Sequence, residues 1–187
     1  MMMYALSRRL VLTGLLATSS LSAFSGLNQN ARADSVPNLD ASTTEYLAGL
    51  PLLTKTPLEP LAGRPTIITF FATWCPPCRP EFEALNRIHR EFRETNLAII
   101  AINAFEAMDG LSTNGSRRRF YGVTQPTFPI IDGNQDATTV FGGITRIPTL
   151  LIYDRKGTIS YQFVHEKDAT VQYVGYQEIK QRIQPLL

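Results

Sequence analysis

The sequence contains few of the features that mark a membrane protein or a disulfide scaffold. It has two cysteines and two histidines among 187 residues, and two cysteines cannot build a disulfide-rich framework. No stretch approaches the roughly 18 consecutive apolar residues that a membrane-spanning helix needs. The longest apolar run outside the amino-terminal region is residues 97–102, which fits a buried strand. A hydrophobic content of 44% excludes wholesale disorder, and the length predicts one domain.

The chain also lacks a strong excess of charge of either sign. It carries 18 basic and 16 acidic residues, but Arg8, Arg9 and Arg32 fall in the first 33 residues, which contain no acid. Without that segment the net charge is −1, so the sequence pI of 8.6 is a property of the segment alone. The charge therefore gives no support to nucleic-acid binding.

Residues 1–33 have the pattern of an export signal. A basic pair at residues 8–9 precedes a moderately apolar stretch at residues 10–24, and the small-x-small sequence at residues 31–33 is typical of a cleavage site. We expect cleavage after Ala33. Residues 7–12 also resemble the twin-arginine motif of folded-protein export, although Val11 stands where phenylalanine is usual.

The alternative is an uncleaved amino-terminal helix that anchors the domain to a membrane. Thr13 and Gly14 dilute the apolar stretch, which favours cleavage. Either way the sequence predicts a periplasmic or otherwise exported protein. In such a compartment a cysteine pair meets oxidising conditions.

The mature chain divides into a proline-rich extension and one α/β domain. Residues 34–62 contain four prolines and suggest only short strand pieces near Leu52 and Leu53. Residues 63–187 form the domain, which starts with a buried strand at 66–72, a helix to about Glu94 and a second strand at 97–102. This alternation predicts parallel strands joined by a crossover helix. Further patterns predict short helices at 116–121 and 138–141, strands at 128–131, 149–153 and 158–164, a turn at 154–157, and a final helix at 176–183.

Two cysteines lie where a buried strand gives way to an amphipathic helix. The amino terminus of a helix stabilises a thiolate, so we expect a lowered pKa for Cys75. Cys75 would then attack a partner disulfide, and Cys78, one helical turn later, would resolve the mixed disulfide. Pro76 and Pro77 suit the first helical turn and remove donors that could reach the Cys75 sulfur, so they tune the redox potential.

Other uses of the cysteine pair fit the sequence less well. A structural disulfide closing so short a loop contributes only about 2 kcal/mol. A zinc site would need two further ligands, and only His89 and His165 exist, without suitable spacing. Haem attachment needs a histidine where the chain has Arg79. Dithiol redox chemistry, with Cys75–Cys78 as a redox disulfide and no metal, is the favoured interpretation.

Three segments resemble one known family. Residues 70–81 (FFATWCPPCRPE) resemble the active-site segment of the thioredoxin superfamily, in particular its exported TlpA/ResA/CcmG-like branch. Residues 128–132 and 146–150 resemble two further segments of that branch, and the matches cover about 60–187. The resemblance implies a three-layer thioredoxin-like fold. Its central mixed β-sheet would be flanked by helices, with an amino-terminal extension and an insert after the second central strand.

The resemblance also implies a cis proline at Pro148, in a loop that faces the disulfide. A cis X-Pro bond costs only about 0.5–1 kcal/mol, so a fold can impose it. The backbone of Ile147 would then be free to pair with an extended substrate by strand addition. Trp74, Pro76 and Pro77 are the other candidate substrate contacts. The alternative for Pro148 is an ordinary trans proline that opens a strand.

Glu81 is a candidate proton mediator. At helical spacing it lies on the apolar stripe of Leu85, Ile88 and Phe92, so its carboxyl should be desolvated and its pKa raised. It could then exchange a proton with the Cys78 thiol. The family branch has a glutamate at this offset, and Thr69 stands where ordinary thioredoxins bury an aspartate. The alternative is an exposed acid that complements the helix dipole.

These expectations combine into an exported thiol:disulfide oxidoreductase. The resemblance implies that it reduces protein disulfides, with apocytochrome c thiols as one candidate substrate. It needs no metal or organic cofactor, and an exported reductant requires a membrane-bound electron donor. Three alternatives stay open: a peroxiredoxin-like peroxide reductase, an oxidase or isomerase of the same fold, and a binding module without catalysis. The sequence indicates no oligomeric state, and the basic run at residues 117–119 is expected to be a solvated face.

Overall fold

The computed structural model describes residues 36–107, 112–133 and 135–187. The predicted export signal and its cleavage site lie outside these residues. Within the described part of the chain, no helix has both the length and the apolar character needed to cross a membrane.

A five-stranded mixed sheet forms the centre of the molecule, as predicted. Its strands are β1 (Thr66–Phe71), β2 (Ala98–Asn103), β3 (Ile130–Asp132), β4 (Thr149–Tyr153) and β5 (Ile159–Val164). The spatial order is β3-β2-β1-β4-β5. Strands β1, β2 and β3 run parallel, whereas β4 is antiparallel to both β1 and β5. Every residue of β1, β2 and β4 is buried, because layers cover both faces of the sheet.

Helix α2 (Cys78–Glu91) is the crossover between β1 and β2, and it ends three residues before the predicted Glu94. The chain turns after it, where Thr95 hydrogen-bonds the Phe92 carbonyl through both its N–H and its hydroxyl. The insert after β2 contains α3 (Asn114–Thr124), which is longer than predicted because Thr113 and Ser116 form a reciprocal capping box at its start. After the insert, the structure describes α4 (Gln135–Val140), α5 (Tyr176–Ile183) and a 3-10 turn at Gln184–Leu186.

The extension contains a helix that the sequence analysis missed. Helix α1 (Ala41–Ala48) begins where the Asp40 side chain accepts a hydrogen bond from Thr43 N at 2.8 Å. Only Thr43 and Leu47 are buried in it, so it has no apolar repeat to detect. The strand pieces expected near Leu52 reduce to one antiparallel bridge between Leu52 and Ile131.

Two hydrophobic clusters pack against the sheet. One contains Cys75 and Cys78 together with the apolar stripe of α2 and residues of α3 and α5. The other lies between the sheet and the layer made by the extension and α4. In it Leu39, Leu47 and Leu61 are buried against the sheet. The extension is thus part of the core, and the cysteines lie at one end of the cluster on the α2 side.

Candidate active site

The two cysteines lie at the junction of β1 and α2. The chain leaves β1 through a turn in which Cys75 N donates to the Ala72 carbonyl at 3.1 Å. Cys75 and Cys78 form a disulfide with Cα atoms 5.4 Å apart, and both are almost fully buried. Pro77 occupies the N-cap position of α2 with helical backbone angles, whereas Pro76 is exposed. This places the cysteines at the amino terminus of the helix, as the motif predicted.

Glu81 is fully buried one turn beyond Cys78. Its Oε1 accepts a hydrogen bond from Thr69 Oγ1 at 2.5 Å, and its Oε2 accepts one from Val174 N at 3.4 Å. Burial raises the pKa of Glu81 to about 7, although both hydrogen bonds act in the opposite direction. The buried position expected from the helical stripe is confirmed, and the exposed alternative is wrong. The role as proton mediator stays a prediction.

The peptide bond between Ile147 and Pro148 is cis. Pro148 is buried directly before β4, and its carbonyl accepts a hydrogen bond from His165 N at 3.0 Å. Ile147 is half-buried and packs against the cluster that contains both cysteines. The structure therefore brings this loop and the dithiol to one hydrophobic cluster. The contribution of the loop to substrate binding stays a prediction.

Trp74 is held on the surface of the same cluster. It is half-buried, and its indole Nε1 donates to the Phe105 carbonyl at 3.0 Å. Trp74 thus links the turn that carries Cys75 to the residues that follow β2. Pro76 is exposed beside Cys75. The contribution of Trp74 and Pro76 to substrate binding stays a prediction.

The sequence analysis missed Glu106, which is 8% exposed and follows β2. Its carboxylate accepts hydrogen bonds from Thr73 N at 2.8 Å, from Thr73 Oγ1 at 2.5 Å and from Arg117 Nε at 3.1 Å, and it also contacts Ser112 Oγ. Burial would raise the pKa of Glu106, but these hydrogen bonds outweigh it and hold the pKa below its ordinary value. An acid just after a parallel strand, next to the strand that leads into the cysteines, was the available signal.

The basic run on α3 is exposed, as expected, yet Arg117 is not merely solvated because it pairs with Glu106. Among the residues that the structure describes, no group of three or more His, Cys, Asp or Glu side chains could hold a metal ion.

The sheet order and the dithiol at the start of α2 are those of the thioredoxin superfamily. Solved structures agree on the fold. A thiol:disulfide interchange protein DsbE from Chlorobium tepidum matches with a TM-score of 0.52 and 19% identity over 67% of this chain and 82% of that one. A DsbF homologue from Corynebacterium diphtheriae matches with a TM-score of 0.53 and 19% identity over 67% and 74%.

The model of the Redoxin family matches residues 32–177, so the chain belongs to that family. Its ResA relatives place it on the TlpA/ResA/CcmG-like branch. The thiol-disulfide oxidoreductase ResA of Halalkalibacterium halodurans is 30% identical over 128 residues, which are 68% of this chain and 67% of that protein. The thioredoxin-like protein YneN of Bacillus subtilis is 30% identical over 105 residues, 56% and 59% respectively. The chain spans about three-fifths of the length of YneN and of the ResA proteins of Bacillus thuringiensis and Bacillus anthracis.

Proposed function

We propose that this protein is an exported thiol:disulfide oxidoreductase that reduces disulfides in other proteins. The observation that carries the proposal is the Cys75–Cys78 pair at the start of α2 with the buried carboxyl of Glu81 one turn away. The names of the relatives support the same reaction class.

In the first step the Cys75 thiolate attacks one sulfur of the substrate disulfide. A mixed disulfide forms between Cys75 and the substrate, and the other substrate sulfur leaves as a thiolate. The positive end of the α2 dipole lies next to Cys75 and favours its thiolate form. Pro77 has no N–H and so cannot donate to that sulfur.

In the second step Cys78 resolves the mixed disulfide. Glu81 takes the proton of the Cys78 thiol, and the resulting thiolate attacks the Cys75 sulfur. The second substrate sulfur then leaves, which gives a reduced substrate and the Cys75–Cys78 disulfide. A carboxyl with a pKa of about 7 suits this transfer because it exchanges protons readily at neutral pH.

The substrate is an extended polypeptide that docks on Trp74, Pro76, Pro77 and the Ile147–Pro148 loop. Hydrogen bonds between its backbone and Ile147 would align its disulfide with Cys75 by strand addition. Apocytochrome c with an oxidised cysteine pair is the candidate substrate class.

Export by the signal at residues 1–33 would place the protein in an oxidising compartment. There the Cys75–Cys78 disulfide must be reduced again for each cycle, so a membrane-bound dithiol donor is the partner that the proposal requires.

A redox titration of the Cys75–Cys78 pair tests the direction of the reaction. We expect a potential well below −150 mV, nearer the value of about −270 mV for thioredoxin than that of about −120 mV for the oxidant DsbA. A potential above about −150 mV would overturn the reductant assignment and leave an oxidase or isomerase.

A second assay tests the class of reaction. The reduced protein should cleave the disulfides of insulin, and Cys75→Ser should abolish that activity. Consumption of hydrogen peroxide without any disulfide exchange would replace the proposal by peroxide reduction. Unchanged biological function of the variant carrying both Cys75→Ser and Cys78→Ser would indicate a binding module.

A further inference from the structure

The loop after β2 forms hydrogen bonds with the two residues that precede Cys75. Its Phe105 carbonyl accepts the indole N–H of Trp74 at 3.0 Å. The next residue, Glu106, accepts both donors of Thr73, the backbone N–H at 2.8 Å on Oε2 and the hydroxyl at 2.5 Å on Oε1. Phe105 and Glu106, which are consecutive in this loop, therefore hold Trp74 and Thr73, which are consecutive in the turn that leads to Cys75.

The carboxylate of Glu106 is in turn held from the insert. Arg117 Nε donates to Oε1 at 3.1 Å, and Ser112 Oγ contacts the same oxygen. Glu106 has a side chain only 9% exposed, whereas that of Arg117 is 51% exposed. The acid is thus a nearly buried link between the start of the insert and the turn that carries the nucleophile.

We propose that Glu106 is a positioning residue, whose carboxylate fixes the Thr73–Trp74 turn and so sets where the Cys75 sulfur lies at the start of α2. The proposal rests on the proposed function in so far as the positioned sulfur is the attacking one.

The physical reason is that Thr73, which Glu106 holds, lies close in the chain to the nucleophile Cys75. Only Trp74 separates Thr73 from Cys75, so a shift of Thr73 is passed on through two rigid peptide units. Nucleophilic attack is sensitive to such shifts, because a displacement of about 1 Å can cost on the order of 100-fold in rate. Hydrogen bonds donated to a nearly buried carboxylate are also stronger than those between neutral groups.

The test uses variants of both hydrogen-bonding partners, Glu106 and Thr73, in the full-length protein. Glu106→Ala removes both acceptors, Thr73→Val removes the hydroxyl donor but keeps the backbone N–H, and Thr73→Ser keeps both donors. Glu94→Ala is the matched control, since Glu94 is an acid with a side chain 83% exposed that pairs with its neighbour Arg93. Thermal unfolding confirms that each variant folds cooperatively.

The first readout is the rate constant for attack of reduced protein on insulin at fixed pH. We expect Glu106→Ala to lower it by about 10- to 100-fold. Thr73→Val should lower it less, and Thr73→Ser should recover most of that loss. The combined loss in the variant carrying Glu106→Ala and Thr73→Val should fall short of additive, because both changes break one contact.

The second readout does not depend on activity. Trp74 is the single tryptophan of the chain, so its fluorescence reports on this turn alone. We expect acrylamide to quench it more strongly in Glu106→Ala than in the wild type or in Glu94→Ala.

The outcomes of these two measurements decide whether Glu106 is a positioning residue. A rate and a quenching constant in Glu106→Ala equal to those of Glu94→Ala would overturn the proposal. So would a faster attack, because it would mean that the negative charge of Glu106 acts on the thiolate instead of positioning it. If the wild type does not react with disulfides, the proposed function fails, and the quenching measurement still decides whether Glu106 holds the turn.

Discussion

At the scale of single residues, the carboxyl of Glu81 combines full burial with a pKa raised to about 7. Helical periodicity alone placed it on the apolar stripe of α2, and the structure confirms that position. Periodicity could not show that Val174, far along the chain, supplies its second hydrogen bond, because that contact depends on tertiary packing. Glu106 was missed for the same reason, since its partners come from β1's turn and from the insert.

Replacing Glu81 by glutamine should slow the resolution of the mixed disulfide. Glutamine keeps the shape of the side chain but cannot take the Cys78 proton, so we expect a loss of roughly 100-fold. The pH profile of the rate should also lose its inflection near pH 7, which is the pKa of Glu81. Stopped-flow measurements from pH 5 to 9 check both. Glu83→Gln, on the exposed face of the same helix, is the control, and an equal loss in that variant would contradict the assignment.

The same substitution should change how stability depends on pH. The pKa of Glu81 is raised from 4.5 to about 7 in the folded state. Between these values the native state keeps a proton that the unfolded state has released, so the free energy of unfolding falls as the pH rises. The fall attributable to this carboxyl amounts to roughly 3 kcal/mol. Urea unfolding of the oxidised protein at pH 4.5 and pH 8 should show a smaller fall in Glu81→Gln than in the wild type.

At the scale of elements, fully buried strands were predictable to within one residue, whereas the capped helix α1 was missed and the capped helix α3 was predicted only in part, at residues 116–121. The bounds of β1, β2 and β4 agree with their apolar runs to within one residue, because burial on both faces demands continuous hydrophobic sequence. Helices α1 and α3 depend on polar caps at Asp40 and Thr113 and bury few side chains, so their hydrophobic pattern is weak.

The turn between β4 and β5 also fastens the extension to the sheet. Gly157 has a φ of 76°, and its carbonyl accepts a hydrogen bond from Leu39 N at 2.7 Å. A Cβ at this position would lie 2.4 Å from the Leu39 carbonyl oxygen. Gly157→Ala should therefore lower the free energy of unfolding by about 2–4 kcal/mol.

Gly122 provides the matched control for that substitution. It lies on the exposed face of α3, where a Cβ would meet nothing within 4 Å beyond the backbone of its own helix. Alanine favours the helix there, so Gly122→Ala should raise the free energy of unfolding by up to about 1 kcal/mol. Chemical denaturation measures both variants, and a fall of equal size in the two would contradict the steric argument.

At the scale of the whole molecule, the extension and the domain share one core. The sequence placed a boundary at residues 62–63 because the prolines before it suggest irregular structure. That boundary stays a prediction, but Leu47 and Leu61, which precede it, are buried in one cluster with residues of the sheet. Composition could not reveal this, since isolated leucines between prolines do not show what they pack against.

Leu47→Ala should therefore destabilise the entire protein. Leu47 is fully buried, and removing its side chain leaves a cavity that costs about 2–5 kcal/mol. Leu53→Ala is the control, because Leu53 is 41% exposed and should change stability by less than about 1 kcal/mol. Thermal unfolding monitored by circular dichroism should show one cooperative transition at a lower temperature for Leu47→Ala, whereas loss of α1 alone in a separate transition would contradict a common core.

The segment at residues 51–54 runs along the outer side of β3. Leu53 N donates to the Ile130 carbonyl, Asp132 N donates to the Pro51 carbonyl, and Ile130 N donates to Thr54 Oγ1. An edge strand with unsatisfied main-chain groups is a template for aggregation. These contacts cover the outer edge of β3 from within the same chain, which protects that edge from pairing with a strand of a second copy.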